Sequence, residues 1–559
     1  MEQLSGLDAM FIHAELHGLP MHISSFSIYD PATSPDGKVD FRQVLDIFEK
    51  KIQHEVPILR SRLVEVPLNL DQPYWAEDPR FDMVYHVRHI ALPKPADWNK
   101  LFTLVANLHA QPLNRARPLW EAYVIDGLDK LDGIPKGCFG LFLKVHHAIM
   151  DGRTGLALYS NLHTITPELQ VFNEAAKMPV KADSAESAPG TASLMARATA
   201  HNVRKTMNLG KTLLNVAKTV GKLQLGVRSG ELHSLEKPKC RFNGPISPGR
   251  VVDRQRLPIQ DIKAIRNVSE GATVNDVALT IIGGAMRRYL ASKDELPAQS
   301  LVSGVPIDVR TQDDAHKRGN MVSLMNVPLC TNIEDPLERL RVVYKEAIAS
   351  KQYASTLGRT FVNDVLDDLY AGLTSWGIRS VVESGALAFF TPVHNTIITN
   401  VPGAPVPIYL AGAKLIDSFG LGPLVPNTGL FHTVTSTYEC LSISFTACRE
   451  MMPDPEFYSQ CLAESFEELR DEALEKRAEM LASTEQAARK AKRRVKRQTR
   501  RVHASRADRK VADKPPVRKA ARKQPPPEAA EIVEAESTVK SAAGLTVVSD
   551  NTRVTVTHG

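Results

Sequence analysis

No stretch of this 559-residue chain is long, apolar and unbroken enough to span a bilayer as a helix. The longest uncharged candidate, Ser384–Ala413, carries Pro392, Pro402, Pro405 and Pro407 with Asn395 and Asn400. Prolines at that density point to a buried strand followed by a Pro-rich loop. Met1–Asp8 lacks a basic start followed by an apolar run, so no secretory signal is expected. Cysteine is scarce. Cys138, Cys240, Cys330, Cys440, Cys448 and Cys461 form no Cys-x-x-Cys pair, which argues for reduced, mostly buried thiols rather than a disulfide framework or metal site. A Gly-x-Ser-x-Gly elbow is missing, against a serine hydrolase working through a covalent intermediate. Gly210-Lys211-Thr212 resembles the end of a phosphate loop, but Lys205 stands where the upstream glycine should be. Gly420-Leu421-Gly422-Pro423 lacks the third glycine of a dinucleotide fingerprint. No metal and no redox cofactor is implied.

Two further absences are local. Leu194–Arg228 contains no acid, while Val203, Met207, Leu213, Leu214, Val220 and Val227 recur near helical spacing among seven Lys and Arg. A basic amphipathic helix of that kind suits an anionic membrane surface; a solvated helix linking two domains is the alternative. Beyond Lys476 there is no aromatic residue, and Ala, Lys, Arg, Pro and Glu dominate, so that tail cannot bury a core. Disorder, or a frayed helix continuing from Phe466 to about Arg501, is expected. Between Arg489 and Lys523 the tail holds 17 Lys and Arg against Asp508 and Asp513, net +15, which leaves −9 on the rest of a chain whose total is +6. Anionic lipid headgroups or lipid inclusions are the first candidate partner of this segment, and a solvated, dispensable tail is the plain alternative. Nucleic acid would bind it only non-specifically, with no aromatic side chain to stack on bases.

The remainder is globular in composition, 43% hydrophobic and 24% charged, and long enough for two sizeable cores. Residues 1–175 mix short strands and helices: Phe41–Gln53 and Trp98–Gln111 read as helices, Phe81–Leu92 as a strand. Residues 176–240 form a linker that includes the basic helix. A second α/β region covers 241–475, with a helix over Thr273–Leu290 and strands at Leu301–Val309, Asn326–Leu329 and Thr396–Val401. The segment 476–559 is the tail.

What is present in the first region is sharper. His146-His147-Ala148-Ile149-Met150-Asp151-Gly152 closes an apolar run and opens a helical segment, so a proton acceptor and a carboxylate meet at a strand-to-helix turn. Cys138–His147 reads as a buried strand, and side chains alternate along it. His147 shares a face with Phe139, Leu141, Leu143 and Val145, and is expected to be the more enclosed ring, kept neutral by burial. His146 points the other way and is expected to make a supporting hydrogen bond. A zinc site is disfavoured, since adjacent strand histidines diverge and no third ligand stands at the right spacing. A purely structural pair of histidines is the plain alternative.

The histidine motif resembles that of CoA-dependent acyltransferases with a chloramphenicol-acetyltransferase-like fold. Further pieces look like the bacterial wax ester synthase/diacylglycerol acyltransferase family: Leu4-Ser5-Gly6-Leu7-Asp8-Ala9, Pro20-Met21-His22, Pro118-Leu119-Trp120, Phe242-Asn243-Gly244-Pro245-Ile246-Ser247, Asn275-Asp276-Val277, Gly319-Asn320, Asn400-Val401-Pro402-Gly403 and Gly429-Leu430. They follow in order over residues 1 to about 470. The resemblance implies an α/β fold class, a monomer of two chloramphenicol-acetyltransferase-like halves with a channel between them, a helical linker and a disordered basic tail. It implies His147 as general base, acyl-CoA as co-substrate with no bound cofactor, and diacylglycerol or a long-chain alcohol as acceptor. Asp151 would hold the motif loop by an ion pair, with Arg310 of Pro306-Ile307-Asp308-Val309-Arg310 as its candidate partner, and Gly152 would allow the turn. Asn275 and Asp276 either shape the channel or cap the helix that follows. Phe431-His432-Thr433 and Tyr438-Glu439-Cys440 depart from the family pattern, at positions expected near the C-terminal half of the channel. A cytoplasmic protein held at the inner membrane face or on lipid inclusions is the expected setting. An amide-forming condensation module and a non-catalytic lipid-inclusion tether are the rival readings; no carrier domain follows to support the first, and the intact histidine motif weighs against the second.

Overall fold

A computed structural model describes residues 1–15, 19–54, 56–150, 152–168, 190–228, 238–308, 322–356 and 394–512. In chain order the first half contains β1 (Glu2–Gln3), α1 (Gly6–Ala14), β2 (His22–Asp30), α2 (Phe41–His54), β3 (Ser61–Val64), β4 (Tyr74–Glu77), α3 (Met83–His86), β5 (Val87–Ala91), α4 (Trp98–Ala110), β6 (Trp120–Asp126), β7 (Phe139–His146) and α5 (Gly152–Leu162). Then follow α6 (Thr191–Arg228), β8 (Arg250–Pro258), α7 (Ile259–Arg266), α8 (Val274–Ala291), β9 (Val302–Asp308), β10 (Val322–Pro328), α9 (Pro336–Thr356), β11 (Thr396–Val401), β12 (Tyr409–Leu410), β13 (Ala413–Leu421), β14 (Leu430–Ser436), β15 (Cys440–Cys448) and α10 (Pro455–Ala512). The expected α/β class with two sheet-rich halves is what the chain adopts.

Each half is built on a six-stranded sheet, in the orders β12-β13-β2-β7-β6-β5 and β10-β9-β11-β14-β15-β8. A three-stranded sheet, β1-β4-β3, flanks the first. The halves are not contiguous in sequence. Tyr409–Leu421 returns from the second region to pair with β2, Phe419 standing opposite Phe26, so a cut at residue 240 does not separate the two sheets. Phe26, Phe142 and Phe419 are fully buried between the first sheet and α4, with Phe102 beside them. On the other side of that sheet Trp120 is enclosed, its indole N–H donating to the Leu59 carbonyl at 2.7 Å. The second core gathers round α8, whose side chains from Val277 to Leu290 are almost all buried. Gly283 and Gly284 let that helix come close to its neighbours: a Cβ at the first would run into the Leu329 carbonyl, and at the second into the Ser465 hydroxyl.

Two local expectations are corrected. Phe81–Leu92 is not one strand: Asp82 accepts the Val84 N–H at 3.0 Å and caps the short α3, and only Val87–Ala91 is extended. The helix after residue 455 runs to Ala512, beyond the Arg501 limit expected from sequence. Straight-chain Lys, Arg, Glu and Ala favour helix intrinsically, so this segment needs no core to be helical. Met1–Ser483 forms one compact unit. In the second, residues 484–512 are helical and the described side chains are exposed. Among the described residues no helix is long and apolar enough to cross a membrane.

Candidate active site

β7 is a central strand, held by β2 on one edge and β6 on the other. It ends at His146, opposite His22 of β2. The chain then turns through His147, Ala148 and Ile149 before α5 begins at Gly152. Two of the short motifs noted in the sequence grip this turn from either side. The Leu119 carbonyl accepts the His146 N–H and the Met21 carbonyl accepts the His147 N–H, both at 2.9 Å. Ala148, Ile149 and Met150 sink into the first core and anchor the turn from below.

The two rings have different surroundings. His147 stacks on Phe11 of α1, centroids 4.1 Å apart and planes 17° from parallel. His146 accepts the Ala148 N–H on Nδ1 at 3.1 Å, a bond inside the motif itself. Its Nε2 lies 3.8 Å from Glu15 Oε1. Arg115 clasps that carboxylate through Nε and Nη2 at 3.1 and 2.9 Å, and donates to the Ile12 carbonyl at 2.7 Å. Glu15 also accepts the Met21 N–H at 3.4 Å. Residues from α1 and the chain leaving it therefore touch both histidines.

The expectation that His147 is the more enclosed ring is reversed. His146 is 1% exposed, whereas His147 retains part of its surface. The sheet is covered on both faces, so Phe142, Lys144 and His146 are all buried on the face opposite the one that carries Leu141 and Val145. The strand also stops at His146, so the alternation ends one residue short of His147. Burial pulls both rings below the ordinary histidine value: His147 to about 4, opposed by its own backbone, and His146 to about 3, helped by His147 and Arg115. Both are neutral at physiological pH.

Behind the motif lies a buried polar layer. His109 Nδ1 is 2.8 Å from Ser24 Oγ and its Nε2 is 3.2 Å from the Gly422 carbonyl. The His22 ring meets the His109 carbonyl. Lys144, fully enclosed, pairs with Glu121 at 3.1 Å and donates to the Leu108 and Gln111 carbonyls, both at 3.1 Å. Burial lowers the Lys144 pKa, and Glu121 opposes that shift. These bonds fasten the end of α4 to β7 and fix the strand that carries the histidines.

Other expected site residues fall elsewhere. Asp151 and Arg310 lie outside the described residues, so the structure describes no pair between them. Gly152 opens α5. Asp276 is a helix cap: its carboxylate accepts the Thr273 N–H at 2.8 Å while Thr273 Oγ1 accepts the Asp276 N–H at 3.3 Å. Asn275 faces Asn400 of β11, amide to amide at 3.5 Å. His432 does not border an open channel among the described residues. It is buried in the second sheet, 2.9 Å from Thr396 Oγ1 and 2.7 Å from the Tyr458 hydroxyl. Tyr438 is exposed in the turn between β14 and β15.

A cavity of about 640 Å³ opens between the halves, lined by Trp98, Phe102 and Asp132 on one side and Asp253, Arg254 and Gln460 on the other. It borders Asp417, which pairs with Ile28, six positions along β2 from His22. At about 3.4 Å per residue that is roughly 20 Å from the histidines, so it is not the reacting centre. Among the described residues, no three His, Cys, Asp or Glu side chains converge as a metal site.

Phe11, Glu15 and Arg115 also belong to the site. Glu15 and Arg115 are 100 positions apart, and no local pattern links them. Phe11 left a weak trace, since it sits in the short apolar helix that follows the Leu4–Ala9 motif.

Residues 4–278 match the wax ester synthase/diacylglycerol acyltransferase catalytic domain, and residues 318–470 the WS/DGAT C-terminal domain. A Mycobacterium tuberculosis protein assigned as a diacylglycerol O-acyltransferase is 30% identical over 459 residues, 81% of this chain and 87% of that protein. The solved wax ester synthase/diacylglycerol acyltransferase of Marinobacter aquaeolei VT8 superposes with a TM-score of 0.59 at 23% identity, covering 84% of this chain and 99% of that one. Trichothecene 15-O-acetyltransferase of Fusarium sporotrichioides shares the fold at a TM-score of 0.52 and 10% identity, over 84% and 94% of the two chains.

Proposed function

Because the chain belongs to the wax ester synthase/diacylglycerol acyltransferase family, we propose that it transfers a fatty acyl group from acyl-CoA to a lipid alcohol with His147 as general base. Diacylglycerol as acceptor gives triacylglycerol, and a long-chain alcohol gives wax ester. The observation that carries the reading is the placing of a neutral, stacked, partly accessible His147 at the end of a rigid strand. A general base needs a free lone pair at working pH and a fixed direction.

The reaction needs no covalent enzyme intermediate. A ring nitrogen of His147 takes the acceptor hydroxyl proton as the oxygen attacks the thioester carbonyl. The C–O bond forms, and the tetrahedral oxyanion collapses with cleavage of the C–S bond. Imidazolium returns its proton to the leaving thiolate, which departs as free coenzyme A. His146, more deeply buried and bonded to Ala148, holds the turn and does not touch the acceptor. Asp151 remains proposed to hold the motif loop by an ion pair with Arg310.

The test is release of coenzyme A from palmitoyl-CoA with dioleoylglycerol or hexadecanol, for wild type and His147→Ala. Acceptor-dependent release that disappears in the variant is expected, and the faster acceptor names the reaction. No release with either acceptor from folded wild-type protein would defeat the reading.

A further inference from the structure

Helix α6 is held to the body along one side. Leu194 and Ala198 are buried against Val66 and Tyr74. His201 Nδ1 lies 2.8 Å from Asp71 Oδ2, and Lys205 Nζ 3.4 Å from Asp71 Oδ1. Asn202 donates to the Leu70 carbonyl at 2.8 Å. Positions 194, 198, 201 and 205 recur every three or four residues and so share one face.

The outer side has an unusual make-up. At about 100° per residue, Val203, Met207 and Leu214 fall opposite the bound face, and they are 59%, 76% and 56% exposed. Arg197, Arg204, Lys211 and Lys218 are exposed as well. Their seven-residue spacing sets them in a row beside the apolar strip, along about 32 Å of helix. No Asp or Glu occurs anywhere in α6.

A helix that merely joined two halves would turn polar residues of both signs to water. An exposed apolar strip beside an all-cationic row complements a surface that offers hydrocarbon and negative charge together. A nucleic acid offers the charge but gives Val203, Met207 and Leu214 nothing to enter. We propose that the outer face of α6 docks on an anionic phospholipid membrane. Val203, Met207 and Leu214 enter the boundary between headgroups and acyl chains, and the row from Arg197 to Lys218 meets the phosphates. This names the partner of the lipid-acceptor reading and rests on that reading for its purpose, since substrate and neutral-lipid product both partition into such a surface.

The experiment sediments full-length protein with vesicles of phosphatidylcholine alone and of phosphatidylcholine with phosphatidylglycerol at roughly 7:3. Wild type should pellet with the anionic vesicles only. Arg204→Glu with Lys211→Glu, and separately Met207→Ser with Leu214→Ser, should each lower the partition coefficient at least about tenfold. The basic C-terminal segment stays in every variant, so the loss reports on α6. Fluorescence of the Met207→Trp protein should be quenched by brominated acyl chains in the anionic vesicles. Unchanged partition in both double variants, or no quenching in Met207→Trp, overturns the proposal. So does a dimer that Leu214→Ser converts to monomer while vesicle binding persists, because the face would then belong to a second copy. Both double variants should keep coenzyme A release with detergent-dispersed dioleoylglycerol. If wild type shows no release there yet binds anionic vesicles, the acyltransferase reading fails and the docking stands.

Discussion

Phe11 and His147 stack face to face, 4.1 Å between centroids. The phenyl ring comes from α1, a nine-residue helix started by Ser5, whose hydroxyl accepts the Asp8 N–H at 3.1 Å. One wall of the proposed base is thus set by the first turns of the chain, far in sequence from the histidine motif. The wall restricts the rotation of the imidazole and keeps water from one face, and burial is the leading cause of the lowered His147 pKa.

Replacing that wall should change both rate and pH dependence. In Phe11→Ala the ring gains water and freedom, so kcat/KM should fall about tenfold or more and the His147 pKa should rise toward the ordinary value. A base works only when unprotonated, so activity is lost as pH falls through its pKa. Wild-type kcat/KM should be flat from pH 8 to 6, because the His147 pKa lies well below that range; in Phe11→Ala an acid limb should move up into it. Phe11→Tyr keeps the stack and should keep the profile. A rate loss with an unmoved profile would mean that Phe11 only packs.

His146 should matter for the turn and His147 for the chemistry. Removing the His146 ring leaves the buried Ala148 N–H without its acceptor, at a cost of about 1–3 kcal/mol. His146→Asn can accept the same N–H two residues on and should recover much of that loss. His147→Ala should abolish coenzyme A release while leaving the urea midpoint close to wild type. Equal destabilisation by His146→Ala and His147→Ala would remove the division of labour.

The clasp between Glu15 and Arg115 should couple to the same turn. Glu15 is largely buried and Arg115 about a third exposed, so the pair is only partly screened. A double-mutant cycle of Glu15→Gln and Arg115→Gln should give a coupling of about 1 kcal/mol. Each single variant should also lower kcat, because Glu15 holds the Met21 N–H while the Met21 carbonyl holds His147. Additive effects on stability with full activity would show an isolated ion pair.

The local motifs were legible because they act locally. His146, His147 and the strand before them are one continuous segment, and the helix read over Thr273–Leu290 is observed over Val274–Ala291. Pro118-Leu119-Trp120 and Pro20-Met21-His22 meet the histidines through the backbone carbonyls of Leu119 and Met21. Hidden from sequence were relations made by the sheet: the return of β13 to β2, the second buried face of β7, and the meeting of Glu15 with Arg115. Alternation gives the two faces of a strand but not how many of them are covered, which is why the burial order of the two histidines came out reversed.

Buried neutral histidines make the fold sensitive to acid. Burial lowers the pKa of His22, His86, His109, His146, His147, His163 and His432. Below the unfolded value of about 6.5 the unfolded chain binds protons that the native state refuses, so stability falls with falling pH. The loss continues down to the folded values, about 3 for His109, His146 and His432 and about 4 for His147 and His163. Asp253, which burial raises to about 6, and Glu472, raised by burial and by Asp335 and Glu468, oppose this because their native forms take up a proton first, but among the described residues they are two groups against seven. Each fully buried histidine contributes a slope of about 1.4 kcal/mol per pH unit, and domains have only about 5–15 kcal/mol in hand. The urea midpoint should therefore drop steeply between pH 7 and 5. His432→Gln can still reach the Tyr458 hydroxyl that Nε2 meets but removes one titrating group, so its stability should fall less steeply over the same range. A midpoint that does not move between pH 7 and 5 would mean that these rings take up protons in the native state.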